Sequence, residues 1–149
     1  MATQGNVSRA ASFVGTRSSA PTRRVFTTRL VARVQDGGQV SRAWGTARII
    51  ANDDDSFEYL VTIYNPRGET FTAGEMFRSA DSTATVPVAS LFAEVALRDQ
   101  FLQLRGTVTV HRGQRPPILS EEVREAPSSF YIVVSASGRP SGALTGRLE

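Results

Sequence analysis

Cysteine and lysine are both absent from the 149-residue chain, and histidine occurs once. Without cysteine there is no disulfide framework, no thiolate metal site and no cysteine nucleophile. A single imidazole, His111, cannot build a typical zinc or copper site unless carboxylates or a second chain complete it. A serine triad would need an acid and a serine converging on that same histidine, and no Gly-x-Ser-x-Gly elbow accompanies it. Long apolar runs are missing as well: no stretch approaches the roughly 18 residues a membrane helix needs, and the N-terminus lacks the apolar core of a secretory signal. The expectation is a chain with no membrane span, no metal and no cofactor.

What is present is ordinary in amount and unusual in distribution. Hydrophobic residues make up 40% of the chain and charged residues 21%, a balance that suits one folded domain with an appended tail. All 17 basic residues are arginine, as a GC-rich coding sequence by itself would produce. Six of them precede the first acid, Asp36, so residues 1–35 carry +6, while the remainder sets eleven arginines against fourteen acids, −3. The sequence pI of 10.2 therefore describes an arm rather than a basic domain.

Residues 1–24 are Ser, Thr, Ala, Gly and Arg with few apolar side chains and no period, and read as a flexible arm. From residue 25 onward the texture becomes strand-like, and 25–149 reads as one β domain. Phe26, Thr28, Leu30, Ala32 and Val34 alternate with Arg29 and Arg33. Gly37-Gly38 marks a turn, residues 43–50 a second strand, and Asn52-Asp53-Asp54-Asp55 a hairpin turn into a third strand, 57–64, closed by Asn65-Pro66-Arg67-Gly68. Further strands are expected at 70–77, 85–91, 102–110, 130–136 and 143–148, with one helical turn at 120–126 capped by Ser120 and stopped by Pro127. About eight short strands predict an all-β antiparallel sandwich or barrel.

Several segments, taken together, resemble the CHRD (chordin-type) domain family over about residues 26–148. They are Phe26-x-x-x-Leu30, Gly45 before a strand, Tyr59-Leu60-Val61-Thr62-Ile63, Thr70 to Phe77, Val86-Pro87-Val88 leading to Leu91-Phe92, Leu104-Arg105-Gly106 and Phe130 to Val134. The closing Pro140-x-Gly142-x-x-x-Gly146-x-Leu148 is the most specific. The resemblance implies an immunoglobulin-like β fold of poorly defined activity. Relatives with histidines in the central segment invite a metal role, but here that segment reads Ala73-Gly74-Glu75-Met76-Phe77-Arg78, so no ligand is carried over. Gly142 and Gly146 make physical sense as a turn and a close approach between strands.

Other chemistry-bearing residues have plainer explanations. His111 reads as a surface residue at a loop edge. Asp53, Asp54 and Asp55 offer hard oxygens for calcium but lack an EF-hand's spacing, glycine and terminal glutamate, and a solvated turn accounts for them. Glu121, Glu122 and Glu125 read as an exposed acidic face near a helix start, where the dipole favours them. No catalytic or metal-binding residue is assigned.

The arm is the candidate partner-binding element, through Arg9, Phe13, Val14, Arg17, Arg23 and Arg24. Arginines among small polar residues can neutralise phosphates while staying flexible, although the aromatics of a base-stacking surface are missing from the arm. A Ser/Arg-rich, acid-poor start also fits an organellar transit peptide. The expected function is a non-catalytic structural or interaction domain that self-assembles or docks into a larger complex. The alternatives are a viral-coat-like jelly roll whose arm binds nucleic acid and a metal-assisted oxidoreductase.

Overall fold

Period-two alternation is the organising signal of the chain, and it survives in three dimensions. In β1 (Arg24–Ala32) Phe26, Thr28 and Leu30 are buried while Val25, Thr27, Arg29 and Val31 face outward. β2 (Trp44–Ala51) and β3 (Phe57–Tyr64) repeat the pattern, with Ala47, Ile49, Val61 and Ile63 inside. The computed structural model describes residues 23–33, 40–79 and 87–149. Arg9, Phe13, Val14 and Arg17 of the arm, the Gly37-Gly38 turn and the expected start of a strand at 85–86 lie outside the described residues.

The remaining strands are β4 (Phe71–Arg78), β5 (Ala89–Phe92), β6 (Phe101–Thr107), β7 (Thr109–Val110), β8 (Phe130–Ala136) and β9 (Arg139–Arg147). Every pairing is antiparallel, in the order β6-β3-β2-β1-β9-β8-β4-β5-β7. β7 continues β6 through Val108, whose N–H donates to the Phe57 carbonyl at 2.8 Å. The first and last members of the row are thus one bent strand, paired to β3 on one edge and to β5 on the other, and the sheet nearly closes into an all-β barrel. Nine segments are in this sense the eight strands the sequence implies.

The chain end seals the seam between β1 and β9. Leu148 is buried and its N–H donates to Phe130 at 3.0 Å, while Glu149 and Thr27 exchange backbone hydrogen bonds. Gly146 faces β1 there: a Cβ would stand 2.4 Å from the Arg29 carbonyl oxygen, so only glycine permits the approach. Gly142 has φ +130 and lies beside a register slip opposite Val134 and Ala136, a conformation that side chains rarely adopt. Both glycines of the closing motif therefore have a backbone reason to be glycine.

The helix departs from its expected bounds. It is a full α-helix, α1 (Pro116–Glu125), followed by a 3₁₀ turn at Pro127–Ser129. Pro116 opens it, since its missing N–H would be unpaired at that position anyway. Ser120 is not a cap but a buried mid-helix residue that accepts a hydrogen bond from Arg124 Nε at 3.1 Å. Accordingly, the first turn holds no acid, and the dipole argument for Glu121, Glu122 and Glu125 does not apply. α1 buries Leu119 and Val123, and Arg124 donates to the carbonyls of Ala51 and Asn52, tying the helix to the end of β2.

Candidate functional site

The outer face of β1-β2-β3-β6 gathers features that are scattered along the sequence. The register sets Trp44 opposite Tyr64 and Tyr64 opposite Phe101, making one row across three strands. Two residues further along each strand, about 6.6 Å away, lie Arg29, Thr46, Thr62 and Gln103, and beyond them Thr27, Arg48, Leu60 and Arg105. A fourth row holds Val25, Ile50, Glu58 and Thr107.

The aromatic row is a continuous stack. Trp44 and Tyr64 have ring centroids 4.4 Å apart at 22°, and Phe101 meets Tyr64 edge-on at 5.3 Å. All three are open to solvent, at 47%, 42% and 52% exposure. Of the seven large hydrophobic side chains exposed among the described residues, five (Val25, Val31, Trp44, Tyr64 and Phe101) belong to this one face. Scattered exposed apolar residues need no explanation, but a contiguous group does.

The arginines beside the row are uncommitted. The guanidinium groups of Arg29, Arg48 and Arg105 make no hydrogen bond or ion pair with the described residues. By contrast, Arg78 bridges to Glu122 at 2.8 Å, Arg139 to Glu69 at 2.9 Å, and Arg147 donates to the Ser128 carbonyl at 2.7 Å. Arg29 and Arg48 share a groove of about 520 Å³ with Trp44. Arg48 and Arg105 line a second groove, of about 390 Å³, together with Arg23. Tyr59, buried on the inner side of β3, also lines that second groove, and burial pushes its phenol pKa up from the ordinary value.

Of the described residues singled out from sequence, Arg23 lies on this face and the others fall elsewhere. Arg24 opens β1, donates to the Arg124 carbonyl at 3.1 Å and sits over the Phe26 ring at 5.1 Å. His111 is not a plain surface residue: its side chain is half-buried, with Nε2 shielded and unpaired, because its backbone N–H pairs with Val88 at 3.0 Å and draws it against β5.

The aspartates do form the β2–β3 turn, where Asp54 accepts from the Ser56 backbone N–H at 3.0 Å. Asp53 and Asp55 meet Glu121 and Glu125 around a groove of about 420 Å³ that also contains Arg124. Among the described residues no group of three His, Cys, Asp or Glu side chains is arranged to hold a metal ion. Nor is any helix among them long and apolar enough to cross a membrane.

Trp44, Tyr64 and Phe101 had no place among the residues chosen from sequence. Each sits at the end of a different strand, and only the pairing register reveals their adjacency. Comparison with protein-family models, with curated proteins and with solved structures found no match to this chain.

Proposed function

We propose that this chain is a non-catalytic interaction domain, with the CHRD-like character its motifs suggest, and that its docking surface is the outer face of β1-β2-β3-β6. The observation that carries this reading is the stacked, solvent-open row of Trp44, Tyr64 and Phe101 beside uncommitted arginines. Tryptophan, tyrosine and arginine are the residue types that dominate binding energy at interfaces, because each offers a large rigid area with a polar handle. Arg23, the last arginine before β1, lines the groove with Arg48 and Arg105, which supports a reading in which basic residues ahead of β1 contribute to recognition.

The test is sedimentation of the tagged full chain in extracts of its source cells. The wild-type chain is expected in a complex heavier than itself, and Trp44→Ser with Phe101→Ser is expected to release it. Ile118→Ser, a substitution of an equally exposed residue on α1, is expected to leave the complex intact. A complex that survives the double substitution would overturn the assignment of this face.

A further inference from the structure

We infer that the outer face of β1-β2-β3-β6 binds single-stranded nucleic acid, with bases stacked against the Trp44–Tyr64–Phe101 row and phosphates held by Arg29, Arg48 and Arg105. The inference rests on the reading of this face as the docking surface and names its occupant.

Three observations select that occupant. First, the face pairs the two chemistries a nucleotide presents. Aromatic rings supply a surface for a base regardless of its identity, and unpaired guanidinium groups supply forked donors for phosphate oxygens. Second, arginine outnumbers acid on this face: the two grooves are lined by Arg23, Arg29, Arg48 and Arg105 against Glu58 and Glu149, and the aromatic row and the two rows beyond it on β1, β2, β3 and β6 hold three arginines. A second copy of the same face would bring arginine against arginine, whereas a polyanion is complementary. Third, the basic N-terminal sequence, which carries Arg9 and Arg17 and no acid, enters the fold at Arg23, beside Arg48 and Arg105.

A duplex does not fit the same chemistry. Its base faces are occupied by one another, and a sheet face reads unstacked bases instead. The solvent-open row of rings on β2, β3 and β6 accordingly favours a single strand lying across the strands.

Trp44 is the sole tryptophan of the chain, so its fluorescence reports on this face directly. The full-length protein is titrated with fluorescein-labelled oligodeoxythymidine or oligouridine of about twelve nucleotides, following Trp44 emission and probe anisotropy together. Saturable quenching of Trp44 by the single strand, and none by a duplex of equal length, is expected. Phe101→Ala should weaken binding on the order of 5–150-fold, the loss of one stacking contact. Arg48→Gln with Arg105→Gln should flatten the dependence of log affinity on log salt by about 1.4, since each phosphate contact on a single strand contributes about 0.7.

Anisotropy that rises without Trp44 quenching would place nucleic acid on the arm alone and overturn the inference. So would an unresponsive oligonucleotide titration accompanied by a concentration-dependent dimer and a blue-shifted Trp44, which would give the face to a second copy. Failure of both oligonucleotides, with the sedimenting complex still dependent on Trp44 and Phe101, would remove nucleic acid while leaving the docking face in place. Failure of both experiments removes both.

Discussion

Asp54 shows how one side chain gives the β2–β3 turn its shape. Its carboxylate accepts hydrogen bonds from the Ser56 hydroxyl and the Ser56 backbone N–H, and those two bonds, the hydroxyl's first, hold its pKa below the ordinary 3.8. A group whose folded pKa is depressed stabilises the fold above its unfolded value and loses that contribution as pH falls through the folded one. The Ser56 amide resonance should therefore titrate with a midpoint below 3.8. Asp54→Asn, which keeps an acceptor but cannot titrate, should abolish the shift. A midpoint at or above 3.8 would show that the carboxylate is not held by Ser56 in solution. Gly146 makes the complementary point at residue scale, since its lack of a side chain is what lets β9 lie against Arg29.

Elements are held to one another by a small number of buried polar hubs as much as by the core. Asn65, in the loop between β3 and β4, is fully buried. Its Oδ1 accepts from the Glu69 N–H at 3.0 Å, and its Nδ2 donates to the carbonyls of Glu69 at 2.8 Å and Asp99 at 3.2 Å. Glu69 in turn pairs with Arg139 at the start of β9 and accepts from the Ser41 hydroxyl before β2. One asparagine thereby joins the β3–β4 loop to the segment leading into β6. Asn65→Ala removes the partner of part-buried backbone groups at Glu69, Arg98 and Asp99 and should cost about 1–3 kcal/mol in urea unfolding. A loss under about 0.5 kcal/mol would mean that water replaces the side chain without penalty. The turn was legible as Asn-Pro-Arg-Gly, because turn chemistry is local. The hub was not, because the Arg98–Asp99 carbonyls lie more than thirty residues away.

The molecule as a whole depends on closure of its sheet. The bend at Val108 carries one strand from β3 to β5, and Leu148 fills the seam beside β1 and β8. Leu148→Ala removes a fully buried side chain and should destabilise by about 2–5 kcal/mol, read as a lower denaturant midpoint at unchanged slope. A midpoint within error of wild type would show that the barrel holds without this seam.

Strand identity was largely written in the amino-acid order. Phe57–Tyr64 and Phe130–Ala136 coincide with their expected bounds because alternation and β-branched content act residue by residue. α1 was legible only in part: a turn at 120–126 was expected, whereas the helix opens at Pro116, and its burial of Ser120 comes from packing on the barrel. The candidate face was not legible at all. Trp44 and Tyr64 fell within expected strands and Phe101 just ahead of one, and neither their stacking nor the approach of Arg29, Arg48 and Arg105 follows from local pattern. By itself the sequence determined the strands that carry Trp44 and Tyr64, because alternation and β-branched content are properties of a single chain segment. Only the tertiary structure decided that the three rings meet, because cross-strand register is set by hydrogen bonds between segments far apart in the chain.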